Sequence, residues 1–254
     1  MSGGAPPLPR AFTDPGLIAH RGLHGPGRAE NGLAAFEAAA AAGYAVELDV
    51  QPSADGVAMA FHDDDLVRLT GAEGRVRDRD AAALGALPLR GGGETVPTLA
   101  AALAAIAGRV PVVVEIKDQH GDMGPTDGGL EAAVARDLAA YDGPAAAMSF
   151  NPHSVAAMAR LAPDVPRGLV TSAYRAEDWP GLSAAARDRL RDAPDAGDHG
   201  IAFVSHQADD LDAPRVAELR AAGLAVLCWT IRSAEQEARA RRYADAVTFE
   251  GYLP

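Results

Sequence analysis

The chain has 254 residues, which fits one large domain, and 48% of them are hydrophobic, enough for a sizeable core. Its 23 Lys+Arg against 35 Asp+Glu leave a formal charge of −12, which argues against a nucleic-acid backbone as partner. The single cysteine, Cys228, excludes an internal disulfide and suits a reducing compartment.

Residues 1–16 hold no apolar core of a signal peptide and read as a loose tail or a lid over one end of the domain. From residue 17 onward, short apolar runs alternate with Ala-rich helical stretches. The first run, 17–20, ends in Ile18-Ala19-His20-Arg21-Gly22. A helical pattern follows at 31–42, with Asn31 as its cap and Gly43 at its stop. The second run, 45–50, carries Glu47-Leu48-Asp49. Carboxylates at i and i+2 share one face of a strand, repel each other, and invite a cation.

The third run, 57–62, ends in Phe61-His62-Asp63 and follows Asp55-Gly56. Asp-Gly marks a hairpin, and a parallel crossover needs a dozen residues or more. Run 57–62 should therefore return antiparallel to 45–50 and bring His62 level with the carboxylates. Residues 63–97 have no strong period and are charged and Gly-rich. They read as an insertion at the catalytic face: a lid, a substrate wall, or a solvated loop. Arg68 within it orders the insertion, touches substrate, or forms a surface ion pair.

Helix 98–107, stopped by Gly108, leads to run 110–117, which ends in Val114-Glu115-Ile116-Lys117. The remaining runs are 145–150, 167–171, 201–205, 225–231 and 246–250. The helical stretches among them are 129–140, 152–162, 183–192, 214–222 and 234–243, with Pro152 and Pro214 in first turns and Gly223 at a stop. Nine runs less the antiparallel one leave eight. Strands and helices alternating eight times predict a closed α/β barrel, the (β/α)8 TIM type, over 17–254 as one domain. No stretch reaches the length of a membrane span, so the expectation is a cytoplasmic protein without stable membrane association.

Lys117 is the one lysine among the 23 basic residues. In a chain that otherwise uses arginine, a compact ammonium at the end of an apolar strand points to function. His20 or His62 alone would read as a core histidine. Together, beside acidic strand ends, they point to acid/base chemistry. His24, His120, His153, His199 and His206 lack that company and read as surface or loop residues; His206 alone follows a strand end, Val204-Ser205, from which a side chain can line the pocket.

In order, Ala19-His20-Arg21-Gly22, Glu30-Asn31, Glu47-Leu48-Asp49-Val50, Asp55-Gly56, His62-Asp63 and Leu66-Val67-Arg68-Leu69-Thr70-Gly71 resemble the glycerophosphodiester phosphodiesterase family. Val96-Pro97-Thr98-Leu99, Val114-Glu115-Ile116-Lys117, Ser149-Phe150-Asn151-Pro152 and Cys228-Trp229-Thr230 extend the resemblance over nearly the whole chain. It implies a β/α barrel that cleaves glycerophosphodiesters to glycerol 3-phosphate and an alcohol with a divalent metal. It also implies Glu47, Asp49 and Glu115 as metal ligands, His20 and His62 as the acid/base pair, and Arg21 and Lys117 at the phosphate. Three carboxylates suit Ca²⁺ or Mg²⁺. Phe150 and Trp229 end apolar strands where they would wall the glycerol moiety.

The chain departs from the family pattern at Ala29-Glu30-Asn31-Gly32, at Ala100 and Ala101, and at Val247-Thr248-Phe249-Glu250. Two other functions compete with the leading one. A lysophospholipid-cleaving phosphodiesterase would want an apolar groove, which 5% aromatic residues support little. A non-catalytic phosphate-binding barrel should have lost one of the matched groups, and all are present.

Overall fold

A computed structural model describes residues 6–198 and 200–254. Eight parallel strands close into a barrel: β1 (Leu17–Ala19), β2 (Ala45–Pro52), β4 (Val112–Ile116), β5 (Ala145–Ser149), β6 (Arg167–Thr171), β7 (Phe203–Gln207), β8 (Ala225–Ile231) and β9 (Ala246–Phe249). Closure comes from β1, which pairs with β9 on one side and β2 on the other. The remaining strand, β3 (Ala58–Ala60), pairs antiparallel with the end of β2, Val50 opposite Ala60. It is shorter than the 57–62 run, because the chain leaves the ladder at Phe61, whose N–H still reaches the Asp49 carbonyl at 3.0 Å.

Alternation along each strand sorts the side chains. Ile18, Ala45, Val113, Ala146, Phe203 and Leu227 point inward and form one core. Val46, Leu48, Val50, Val112 and Val114 point outward against the helices and form the larger one. Glu47, Asp49 and Glu115 share the inward parity of Ala45 and Val113, so the same pleat that fills the barrel with apolar groups carries the acids at its far end. Phe12, in a 3₁₀ turn over Arg10–Phe12, is fully buried in the inward core and plugs the N-terminal end of the barrel.

The helices are α1 (Leu33–Ala42), α2 (Val67–Thr70), α3 (Ala81–Gly85), α4 (Leu99–Ile106), α5 (Gly129–Ala139), α6 (Pro152–Leu161), α7 (Ala184–Asp192), α8 (Asp195–Asp198), α9 (Pro214–Ala221) and α10 (Ala234–Ala240). The seven helices expected from periodicity are all here, with α2, α3 and α8 in addition. Asn31 does not cap α1. Gly32 holds that position, and Glu94 Oε1 instead accepts from the Ala34 N–H at 2.9 Å. No helix among the described residues is long and apolar enough to cross a membrane.

The 63–97 segment is not a solvated loop. It contains α2, a 3₁₀ turn over Val76–Asp78 and α3. Leu66, Leu69, Val76, Leu84, Leu89 and Val96 bury against Met59 and Phe61 in a core of their own. Helices this short leave no periodic trace, which is why the sequence shows only charge and glycine there.

Candidate active site

The inward strand ends converge on one cleft of about 170 Å³ at the C-terminal end of the barrel. His20, Arg21, Glu47, Asp49 and His62 line one part of it. Glu115, Lys117, Phe150 and Trp229 line the rest, so all nine residues singled out from the sequence meet in a single space. Thr230, Arg232, Thr248 and Met148 complete its wall.

Glu47, Asp49 and Glu115 are buried, and each offers an oxygen within 4.8 Å of the others'. Burial and the Asp49 and Glu115 charges push the Glu47 carboxyl well above its usual range. Burial pushes Asp49 the same way, but the Lys117 ammonium, His62 and Arg21 outweigh it and hold Asp49 ionised. Lys117 Nζ lies 3.0 Å from Asp49 Oδ1 and 2.7 Å from Glu115 Oε1. Burial disfavours that ammonium, yet the two carboxylates more than offset it and raise its pKa.

Glu47 Oε1 is buried without a hydrogen bond, while Oε2 accepts the Arg21 N–H at 2.9 Å. An orphaned, acid-lined oxygen among three carboxylates fits a hard divalent cation, and these three residues would hold it.

The turn after β1 needs unusual backbone. Arg21 and Gly22 both take positive φ, 53° and 78°, and a Cβ on Gly22 would lie 2.8 Å from the Ala35 backbone. That turn aims the Arg21 N–H at Glu47 and its guanidinium at Glu30 (2.7 Å) and Asp49 (3.2 Å). Asn31, also at positive φ, donates to Asp49 Oδ2 at 3.0 Å and accepts the Asp49 N–H at 3.2 Å.

Each cleft histidine is anchored at Nδ1 by a carboxylate. His20 Nδ1 sits 2.6 Å from Glu250 Oε2, and His62 Nδ1 sits 2.7 Å from Asp63 Oδ1. Glu250 is pushed up by burial but held lower overall by its histidine partners. Asp63 is likewise pushed up by burial and held lower by His62 and Arg68. Both carboxylates are therefore ionised acceptors. Each Nδ1 donates, which leaves the Nε2 lone pair for the cleft. His20 Nε2 lies 3.9 Å from Glu47 Oε2.

Arg68 joins the insertion to the site. It donates to Asp63 at 2.5 and 2.8 Å and to Glu30 at 2.8 Å through two nitrogens. A continuous ionic chain thus runs His62–Asp63–Arg68–Glu30–Arg21–Asp49. Phe150 packs edge-on against Trp229 at 5.5 Å, and the Trp229 indole N–H donates to the Ser205 carbonyl at 3.0 Å. Ser149 and Asn151 hold neighbouring backbone: Ser149 Oγ donates to the Ile116 carbonyl and Asn151 to Asp118.

Several contributors were not singled out from the sequence. Glu250 was noted only as a departure from a motif. Glu30 carries no role in the sequence reading, and Asn31 only that of a helix cap. His24 lies half-buried in the loop after β1, and its Nε2 turns inward to lie 3.5 Å from Glu250 Oε2. No local pattern marks it, because its partner lies more than 200 positions away. His206 is buried, but on the outer face of β7 with Thr171 and Asp210, away from the cleft. His120 and His153 are exposed, and His199 lies outside the described residues.

A closed parallel barrel with a charged cleft at the C-terminal strand ends is the build of a β/α-barrel enzyme. The profile of the Glycerophosphoryl diester phosphodiesterase family matches residues 20–248, so the chain belongs to that family and is a phosphodiesterase. YhdW of Bacillus subtilis (strain 168), which carries a glycerophosphodiester phosphodiesterase name, is 26% identical over 232 residues, covering 88% of each chain. An Oleispira antarctica phosphodiesterase solved with its product sn-glycerol-3-phosphate is 28% identical, with a TM-score of 0.77 over 94% of both chains. A structure of the same family name from Agrobacterium tumefaciens str. C58 superposes with a TM-score of 0.77 over 93% of both chains, at 24% identity.

Proposed function

We propose that this phosphodiesterase hydrolyses glycerophosphodiesters to glycerol 3-phosphate and an alcohol, with a divalent metal at Glu47, Asp49 and Glu115 and with His20 and His62 as the acid/base pair. The observation that carries this reading is the pairing of two carboxylate-anchored histidines with one three-carboxylate cluster in a single cleft. The product bound by the Oleispira antarctica relative supports the substrate class. The bound ion, Ca²⁺ or Mg²⁺, would supply positive charge to the phosphoryl oxygens.

The chain's own groups do the rest. Arg21 and Lys117 bring fixed cations to the phosphate and keep Asp49 ionised. Glu250 and Asp63 fix the tautomers of His20 and His62, so one Nε2 takes the proton of the attacking hydroxyl and the other, protonated, returns one to the leaving alkoxide. The attacker is water or the glycerol hydroxyl beside the phosphate. In the second case the same pair serves again when water opens the cyclic phosphate. Phe150 and Trp229 give the glycerol carbons an apolar wall.

The test is an assay of purified protein with glycerophosphocholine and with a lysophospholipid, with and without chelator. Glycerophosphocholine should release glycerol 3-phosphate, excess EDTA should abolish the activity, and Mg²⁺ or Ca²⁺ should restore it. His62→Ala should cost about two to four orders of magnitude in turnover. Full activity in EDTA with no metal bound, or near-normal turnover of His62→Ala, overturns the mechanism. A preference for the lysophospholipid overturns the substrate.

A further inference from the structure

A second group of potential ligands stands behind His20. His20, His24 and Glu250 each offer one ligand atom, and these atoms lie within 4.8 Å of one another. Glu250 divides its two oxygens. Oε1 takes the Arg232 guanidinium, at 2.9 Å from Nε and 2.7 Å from a terminal nitrogen. Oε2 faces both imidazoles, 2.6 Å from His20 Nδ1 and 3.5 Å from His24 Nε2. His24 Nε2 is shielded from solvent and makes no hydrogen bond, so an imidazole nitrogen points at an ionised carboxylate with nothing between them. An arrangement built only to orient His20 needs Glu250 alone and leaves this nitrogen unexplained.

We propose that His20, His24 and Glu250 form a second metal site that takes a borderline transition ion such as Zn²⁺ or Co²⁺, and that its occupancy switches the phosphodiesterase off. Two imidazoles and one carboxylate suit Zn²⁺ and Co²⁺, whereas the all-oxygen cluster of Glu47, Asp49 and Glu115 suits Ca²⁺ or Mg²⁺. The His20 ring lies between the two sites, with Nδ1 facing Glu250 and Nε2 facing Glu47.

The switch follows from proton placement. With Glu250 as its partner, neutral His20 carries its N–H on Nδ1 and keeps a lone pair on Nε2. A metal on Nδ1 takes that lone-pair position, and the ring's one N–H moves to Nε2. Nε2 then has no lone pair to accept a proton, and His20 leaves the acid/base cycle. This inhibitory half rests on the function proposed above; the metal-binding half does not.

The experiment titrates Co²⁺ and Zn²⁺ into the protein held in saturating Mg²⁺. The Co²⁺ form should show the visible absorption of a nitrogen-ligated ion, and Zn²⁺ should suppress turnover of glycerophosphocholine. His24→Ala and His24→Gln should each weaken Co²⁺ binding and Zn²⁺ inhibition by at least about tenfold, the least that loss of a metal-site group costs. Both should keep Mg²⁺-supported turnover. Unchanged Co²⁺ affinity in either folded variant overturns the site, as does an absorption lost in Glu47→Gln but kept in His24→Ala. Co²⁺ binding that depends on His24 without any effect of Zn²⁺ on turnover overturns the switch. If glycerophosphocholine is not hydrolysed at all, the function proposed above fails, and the Co²⁺ titration still decides the site.

Discussion

One ammonium at Lys117 contacts two buried carboxylates at once, and its reach is short. Arginine would keep the charge but bring a longer, forked and planar group into a space set by contacts of 3.0 and 2.7 Å. Lys117→Arg should therefore lower kcat/KM by about a hundredfold or more, the scale of losing one preorganised donor, while the thermal midpoint stays close to wild type. Steady-state kinetics with a thermal melt checks both halves, and wild-type kinetics would make the lone lysine an accident of composition. Cys228 makes the opposite case of a reactive group held inert. It is fully buried on the outer face of β8, and burial pushes its thiol up to about 12. The reactive thiolate is scarce at any pH well below that value. A thiol reagent at pH 8 should leave the native protein unmodified and label it stoichiometrically after denaturation. The sequence exposed Lys117 through its rarity and Glu47, Asp49 and Glu115 through their spacing on strands. It hid Glu250 and His24, whose meaning is a contact between the two ends of the chain.

At the level of elements, the strands were legible because a parallel barrel buries each on both faces and so writes it as a continuous apolar run. The long helices were legible through their Ala-rich stretches and their Pro and Gly boundaries. Cap positions were less so: Asn31 has the right side chain for a cap, yet the turn before α1 turns that amide toward Asp49 instead. The insertion escaped because α2 and α3 are four and five residues long and draw their core from Met59 and Phe61 outside the segment. Strand β6 offers a sharper test of barrel packing. A Cβ at Gly168 would lie 2.5 Å from the Phe203 ring on the neighbouring strand. Phe203 is fully buried and cannot swing into solvent. Gly168→Ala should therefore destabilise by about 1–3 kcal/mol, the usual cost of overpacking, seen as a lower urea midpoint. An unchanged midpoint would mean that the barrel interior yields more than its packing implies.

The molecule as a whole divides its labour along the barrel axis: the cleft at one end, Phe12 at the other. Phe12→Ala removes a fully buried ring from the inward core and should cost about 3–5 kcal/mol of stability. Turnover per folded molecule should hardly change, because the ring fills the end of the barrel opposite the catalytic strand ends. Urea denaturation beside an active-site titration separates the two, and a loss of turnover without a loss of stability would contradict the division. Closure through β1 sets the order of events during synthesis. Strand β1 is made long before β9 but gains its second neighbour only when β9 has emerged, with Ala19 opposite Phe249. His20 waits just as long for Glu250, 230 positions downstream. Until then the nascent chain exposes two unsatisfied strand edges to the cell, and His20 lacks its carboxylate partner. A barrel closed this way completes its cleft only once β9 and Glu250 have been made, and a chain that stops shortly before position 246 is left as an open sheet.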